Sequence, residues 1–247
     1  MNFLRKLRKH WPEIGLVILF LGLGANWYFL KPKPKETKVE TKNEAVTVQE
    51  EKKPEPPAEP VIPPAKTLSV PYTVQAPLVD WNVHEESCEE AAALMYYYFL
   101  IGSKVDIIPT QTADSEMRAM KAWQVKNWGR EPDLNLTQLG EFMKAYYGYH
   151  FKVTNGITAE IIKKEVAAGN PVLVPVITHA LGNPHYGRSP SYHILVIKGY
   201  DANGVVTNDA GVKEGRNYYY TWATLWRAID AQTPQLHQGR DLLVVTK

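Results

Sequence analysis

The amino-acid sequence predicts an α+β domain with a mainly antiparallel sheet in residues 67–247. Helical segments separated by turn residues fill positions 87–168, whereas short β-branched and aromatic runs alternate with Gly, Asn and Asp from residue 171 onward. Helices that come first and strands that come later are typical of α+β proteins. The 181 residues of this region carry 16 basic and 18 acidic side chains and are enough to bury one core.

The first 30 residues combine a basic tail with an apolar run, which predicts a transmembrane helix. Four basic residues lie within positions 1–10, and residues 14–30 contain no charged side chain. Long domains are translocated largely regardless of flanking charge, so we expect the tail inside and the C-terminal domain outside the cytoplasm. A cleaved signal peptide ending among the small residues 22–25 is the alternative, and it also exports the domain.

Residues 31–66 read as a disordered linker. They contain eight Lys, eight Pro and seven Glu and no aromatic residue, so they cannot build a core. The glutamates offset the lysines, and we therefore expect no nucleic-acid binding. The predicted organisation is an anchor at 1–30, a linker at 31–66 and one domain at 67–247.

Elements of this domain are predicted from turn residues and hydrophobic periodicity. Ser87 and Glu90 fit a capping box, which starts a helix there and puts Cys88 in its first turn. Helices are predicted at 87–100, 115–126, 137–147, 158–168 and 222–231. Strands are predicted at 171–178, 192–200, 204–209, 217–221 and 241–246.

Cys88 is the single cysteine of the chain. A lone cysteine forms no internal disulfide, which leaves a buried filler, a metal ligand or a nucleophile. The helix N-terminus stabilises a thiolate, but the neighbouring glutamates at 85, 86, 89 and 90 disfavour a second negative charge. A nucleophilic Cys88 therefore needs a positively charged partner.

His193 and Asp209 are candidates for that partner and its support. His193 begins the predicted strand 192–200 and Asp209 ends the strand 204–209, so an antiparallel hairpin would bring both to one end of the sheet. An imidazole oriented by a carboxylate can serve as base for a thiol. Taken singly, Cys88 is also compatible with a buried filler, His193 with a strand-end residue and Asp209 with a turn former.

The segments VPYTVQAP, SCEEAAALM, YHILVIKGYD and VVTNDAGVKEG resemble the double-glycine-peptidase-like (bacteriocin-processing) family of papain-like cysteine peptidases. The resemblance spans roughly residues 70–228 and implies a papain-like fold, in which a helix carrying the Cys packs on an antiparallel sheet. It implies Cys88 as nucleophile, His193 as general base and acid, and Asp209 as orienting residue. Gln75 would supply the side-chain donor of the oxyanion hole, beside the backbone N–H of Cys88. Relatives commonly have Pro-Gly after the Asp, where this chain has Ala-Gly.

The activity that this resemblance implies is hydrolysis of peptide bonds, with a peptide or protein substrate and no metal or organic cofactor. No GxxxxGK motif is found, so the export function of the bacteriocin processors does not transfer. Residues 184–190, just before His193, are expected at the rim of the cleft, and Trp81, Arg188 and Tyr192 are candidates for shaping it.

Three alternatives stay open. One is a zinc site, because His84 and Cys88 are four residues apart and another histidine could complete it, although no HExxH pattern occurs. A non-catalytic binding domain on a stalk would use the aromatic runs at 95–99 and 217–222. A hydrolase of cell-wall peptide or amide bonds would use the same triad. The candidates for completing the zinc site are His179, His185 and His193.

Overall fold

A computed structural model describes residues 61–187, 191–232 and 239–247. The predicted membrane segment 14–30 lies outside these ranges, as do all but the last six residues of the predicted linker. Among the helices that the structure does describe, none has the length and apolar character of a membrane span.

The helices of the described ranges are α1 (Trp81–His84), α2 (Cys88–Leu100), α3 (Thr110–Trp128), α4 (Leu136–Tyr147), α5 (Ala159–Ala168), α6 (Thr178–Leu181) and α7 (Trp222–Asp230). The strands are β1 (Lys66–Thr67), β2 (His150–Thr154), β3 (Val172–Ile177), β4 (Tyr192–Tyr200), β5 (Gly204–Asn208), β6 (Arg216–Thr221) and β7 (Leu242–Thr246). Every predicted element is present, although α3 begins five residues earlier than predicted. The elements not predicted are β1, β2, α1 and α6.

The strands form one sheet in the order β2-β7-β3-β4-β5-β6, with β1 paired to β4. Every pairing between these strands is antiparallel, which confirms the predicted α+β class. A turn joins β4 to β5, and in it the carboxylate of Asp201 accepts hydrogen bonds from the backbone N–H groups of Asn203 and Gly204. This tight turn makes β4 and β5 a hairpin.

Both faces of the sheet are covered, because side chains alternate along the strands. On β4, Ile194 and Val196 belong to the core cluster that includes residues of α2, α3 and α4. Leu195 and Ile197 belong to the cluster formed with α5, α6 and α7. Helix α2 is buried from Cys88 to Tyr96, so its N-terminus is held against the central strand β4.

The last residues before position 67 contact the folded domain. The side chain of Ile62 packs against the second cluster. The hydroxyl of Tyr200 donates to the carbonyl of Pro63 at 2.9 Å, and Nζ of Lys66 donates to the carbonyl of Ala167 at 2.7 Å. Composition could not predict this, because segment 62–66 contributes only one apolar side chain, one backbone carbonyl and one ammonium group to these contacts.

Candidate active site

Cys88 is the first residue of α2 and is 4% exposed. Its Sγ donates a hydrogen bond to Oε2 of Glu89 at 3.0 Å and accepts one from the backbone N–H of Ile194. Burial, followed by the negative charge of Glu89, raises the pKa of the thiol, and the N–H of Ile194 only partly offsets this. The thiol therefore lies beside the start of β4. Its raised pKa keeps it protonated at neutral pH.

The loop before Cys88 is fixed by a buried histidine. Nδ1 of His84 lies 3.1 Å from Oγ of Ser87, and its Nε2 lies 3.0 Å from Oδ1 of Asp114. The predicted capping box is wrong, because the Ser87 hydroxyl contacts His84 and makes no cap hydrogen bond. Burial lowers the pKa of His84, so this imidazole is not the cation that the thiol requires.

The structure brings His193 and Asp209 together. Nε2 of His193 lies 3.0 Å from Oδ1 of Asp209, and both side chains are almost completely buried. The antiparallel pairing of β4 with β5 produces this contact, which confirms that the two residues share one end of the sheet. A carboxylate that accepts from Nε2–H leaves Nδ1 with a free lone pair, so the imidazole can act as a base there.

Asp209 is held by three more donors. The hydroxyls of Tyr186 and Tyr220 donate to it at 2.5 and 2.6 Å, and the backbone N–H of Gly211 donates at 3.2 Å. Burial alone would raise the pKa of Asp209, but the hydrogen bonds from His193 and the two tyrosines lower it overall. Asp209 is thus an ionised, immobilised carboxylate.

Gly211 leaves room for the tyrosine that binds Asp209. A Cβ at Gly211 would collide with the hydroxyl of Tyr186, which is bonded to Asp209. The carbonyl of Ala210 accepts from the backbone N–H of Gln75. The loop is therefore compatible with an Asp209 side chain directed at His193.

Sequence reasoning missed Tyr186 and Tyr220. Residues 184–190 were expected at the rim of the cleft, and Tyr186 lies with its ring centroid 6.0 Å from that of His193. Tyr220 lies in an aromatic strand where nothing in the sequence distinguishes a core tyrosine from a carboxylate partner. Arg188 lies outside the described residues.

Gln75 is buried beside the loop that precedes Cys88. Its Nε2 donates to the carbonyl oxygens of His84 at 2.9 Å and Glu85 at 2.6 Å. Both amide hydrogens are therefore used on the loop, and Gln75 reaches an oxyanion only by releasing one of them. The backbone N–H of Cys88, in the first turn of α2, has no acceptor within its own helix and remains suited to that role.

Glu89 and Glu90 form a buried acidic pair behind the thiol. Oε1 of Glu89 accepts from the backbone N–H of Leu134 at 2.8 Å, and Oε1 of Glu90 accepts from Nε2 of Gln124. Burial, followed by the charge of Glu90, raises the pKa of Glu89 to about 8, and burial raises that of Glu90 to about 7. Within the described residues, Oε2 of Glu90 and Oε1 of Gln124 have no hydrogen-bond partner, so a protonated Glu90 could satisfy both.

We expect Glu90→Gln to change how stability depends on pH. The pKa of Glu90 is about 7 in the folded protein and 4.5, the ordinary value, in the unfolded chain. Between these two pH values folded Glu90 keeps a proton that the unfolded chain has lost, so its contribution to stability falls as pH rises. The variant cannot titrate there, and its free energy of unfolding relative to wild type should rise by about 1–3 kcal/mol across this window. Urea unfolding at pH 5 and pH 8 measures this, with exposed Glu141→Gln as control. A parallel pH profile in wild type and Glu90→Gln would contradict the expectation.

A metal site receives no support from the geometry of the described ranges, where no three His, Cys, Asp or Glu side chains are grouped as ligands. His84 contacts Ser87 and Asp114, and Nδ1 of His185 lies 3.3 Å from a carboxylate oxygen of Glu214. The alternative of a zinc site on His84 and Cys88 gains no support, because the imidazole is directed at Ser87 and Asp114.

The aromatic runs contribute mainly to packing. Tyr96 is fully buried, and its hydroxyl donates to the carbonyl of Pro171. Tyr220 contacts Asp209, while Tyr219 is 41% exposed. Trp81 is half exposed and lines an apolar groove of about 490 Å³ beside Gly211.

This chain is similar to a known protein family and to two solved structures. The model of the Peptidase C39 like family matches residues 67–234. The solved structure of a C39-like peptidase from Bacillus anthracis shares 17% identity with a TM-score of 0.49, covering 74% of this chain and 98% of that one. Xylellain, a cysteine protease from Xylella fastidiosa, shares 11% identity with a TM-score of 0.37, covering 76% of this chain and 87% of that one. The comparison with curated proteins finds no match.

Proposed function

The chain belongs to the Peptidase C39 like family and is a cysteine peptidase, and from this premise we propose that Cys88, His193 and Asp209 form its catalytic triad. The observation that carries the proposal is the contact of His193 with Asp209 at 3.0 Å, at the end of β4 where the thiol also lies. The N–H of Ile194, the residue after His193, donates to Sγ of Cys88 and so ties the nucleophile to the strand that carries the base.

The proposed reaction is acyl transfer to Cys88 followed by hydrolysis. Asp209 holds the His193 tautomer that presents Nδ1 as base, and Nδ1 takes the thiol proton as sulfur attacks the peptide carbonyl carbon. The backbone N–H of Cys88 would donate to the oxyanion, and the imidazolium would return its proton to the leaving amine. Water activated by His193 would then release the acyl group.

The thiol must leave Glu89 to enter this cycle. In the described state its proton points to Oε2 of Glu89, and that carboxyl raises the pKa of the thiol. Thiolate formation therefore depends on the balance between two neighbours, with His193 favouring it and ionised Glu89 opposing it.

Alkylation of Cys88 by iodoacetamide between pH 4 and 10 tests this balance. Glu89→Gln should move the midpoint of the labelling rate to lower pH, because it removes a negative charge and keeps an acceptor for the N–H of Leu134. His193→Ala should slow labelling near pH 7 by about tenfold, because the thiol loses its proton acceptor. Mass spectrometry of the labelled peptide gives both rates.

The matched control is Glu90→Gln, whose carboxyl lies on the same turn of α2 and bonds to Gln124 rather than to the thiol. It should shift the midpoint less than Glu89→Gln does. Identical profiles for wild type, Glu89→Gln and His193→Ala would exclude an activated Cys88 and with it the proposed triad.

Gln75 carries a separate expectation. Gln75→Ala should lower kcat/KM by on the order of 10²-fold if its amide serves the oxyanion, and it should also reduce stability through the two lost loop contacts. Gln232→Ala is a matched control, because Nε2 of this buried residue also donates to two backbone carbonyls, those of Pro175 and Ile229. Equal kcat/KM in the two variants would leave Gln75 with a purely structural role.

We further propose that residues 14–30 anchor the enzyme in a membrane, with the peptidase domain outside the cytoplasm. The support is the uncharged apolar run after a basic tail and the Lys/Glu/Pro-rich linker that follows it. The substrate would then be a peptide or protein of the cell envelope.

A further inference from the structure

Two β-bulges lie on opposite sides of β5, and their extra residues are Lys198 and Asn217. Lys198 has no partner in the pairing of β4 with β5, which continues from Ile197 to Gly199. Asn217 has no partner in the pairing of β5 with β6. Asn217 has a φ of 57°, a left-handed conformation that is uncommon outside glycine. Bulges redirect side chains and occur often near functional sites.

The bulge in β4 allows Lys198 and Tyr200 to lie on opposite faces of the sheet, although they are two residues apart. Alternation puts Lys198 on the face of Ile194 and Val196, which packs toward α2. An unbroken strand would put Tyr200 on this face too, but Tyr200 belongs to the opposite cluster. The extra residue therefore serves to direct one lysine toward α2.

Lys198 is a buried cation with neutral partners. Lys198 is 6% exposed. Its Nζ donates to Oδ1 of Asn217 at 2.9 Å and to the carbonyl of Val70 at 3.3 Å. No carboxylate of the described residues lies within ion-pair distance of this ammonium. Burial, followed by the charge of Arg216, lowers the pKa of Lys198. A buried ammonium of this kind is stabilised by a counterion.

Lys198 faces a pocket of about 430 Å³ with an excess of positive charge. Arg216 lines it and pairs with Asp106 at 3.0 Å, but the Asp106 side chain is 82% exposed, and such pairs contribute little. Asp106 is the one carboxylate among the lining residues, against three cations. The other charged and polar lining side chains are Thr67, Ser69, Ser103, Lys104, Lys198 and Asn217.

We propose that this pocket binds a phosphate group, as the free anion or as a monoester, between Lys198, Arg216 and the amide of Asn217. The third hydrogen of the Lys198 ammonium and the amide nitrogen of Asn217, whose oxygen already accepts from Lys198, supply donors at the floor. Arg216 and Lys104 supply charge at the rim.

A dianion fits this pocket better than a single carboxylate does. Three cations and one exposed carboxylate leave two positive charges, which a phosphate neutralises and a carboxylate does not. Donors on β4, β6 and the segment after α2 approach from different directions, as the oxygens of a tetrahedral anion require. The volume exceeds one phosphate and leaves room for an attached organic group.

The test is calorimetric titration of the full-length chain with inorganic phosphate, glycerol 3-phosphate and acetate, at pH 7 and constant ionic strength. We expect both phosphates to bind. Lys198→Met should weaken binding by about tenfold or more, because a charge-assisted hydrogen bond is lost. Asn217→Gly keeps the left-handed backbone and should weaken binding by about three- to tenfold. Exposed Lys152→Gln should bind as wild type does.

A second measurement uses the unaltered chain, so that a variant that fails to fold does not decide the matter. Phosphate should protect Lys198, and not Lys152, from acetylation by acetic anhydride, read by mass spectrometry. If glycerol 3-phosphate binds more tightly than inorganic phosphate, the ligand is a phosphate monoester. If inorganic phosphate binds more tightly, the ligand is the free anion. Three results would overturn the proposal. They are acetate binding as tight as that of the phosphates, a loss of phosphate affinity in Lys152→Gln as large as in Lys198→Met, or acetylation of Lys198 that phosphate does not slow.

Discussion

Cys88→Ala is expected to reduce peptidase activity by on the order of 10⁴-fold or more while the fold is retained. Sulfur is the attacking atom of the proposed reaction, and no other cysteine exists in the chain to replace it. Alanine at this position fits the helix, where it would be followed closely by Ala91, Ala92 and Ala93. The measurement is kcat/KM on a peptide substrate, together with thermal unfolding of both proteins.

The outcome separates catalysis from folding. Loss of activity with an unchanged melting temperature assigns the chemistry to the thiol. Activity that survives in purified Cys88→Ala would refute the triad, whatever the melting temperature. Cys88→Ser, which keeps a smaller and less acidic nucleophile, should retain no more than a trace of turnover.

Asp209→Asn is expected to lower kcat by roughly 10³- to 10⁴-fold, because the amide can donate to Nε2 of His193 and so favour the wrong tautomer. Asp209 also accepts from the hydroxyls of Tyr186 and Tyr220 and from the N–H of Gly211. An amide has one acceptor oxygen for these donors, so stability should fall as well, by about 1–3 kcal/mol.

A matched control is Asp201→Asn. Like Asp209, Asp201 accepts several hydrogen bonds, in its case from the Tyr219 hydroxyl and from two backbone N–H groups, but it lies in the exposed turn between β4 and β5. The variant should keep full kcat, with a smaller loss of stability. Equal kcat in the two variants would show that Asp209 does not orient His193.

Much of the fold was predictable because its elements carry local signals. Gly169 ends α5 in the left-handed conformation that glycine favours, and the hairpin of β4 and β5 follows from its turn residues. Strand β2 was missed because His150–Thr154 is a short mixed segment whose place at the sheet edge depends on pairing with β7. Local patterns do not report such distant pairings.

In the site, the positions of His193 and Asp209 were predictable from strand ends, whereas their surroundings were not. The capping box failed because His84, three residues earlier, contacts the Ser87 hydroxyl. The thiol contact of Glu89 could not be deduced from a run of glutamates, which normally predicts a solvated surface. Within the site, the features that sequence reasoning missed are buried polar side chains, whose partners are set by tertiary packing.

The position of the thiol relative to the β4–β5 hairpin has a consequence for how the protein is made. His193 and Asp209 are 16 residues apart on consecutive strands, so their contact needs only a short loop to close. Cys88 lies on a helix that is synthesised long before either strand and joins them only when α2 docks on the sheet. Under the proposed function, the emerging chain therefore carries no competent nucleophile until nearly all of the domain has been made, which protects both the nascent protein and its neighbours from premature cleavage.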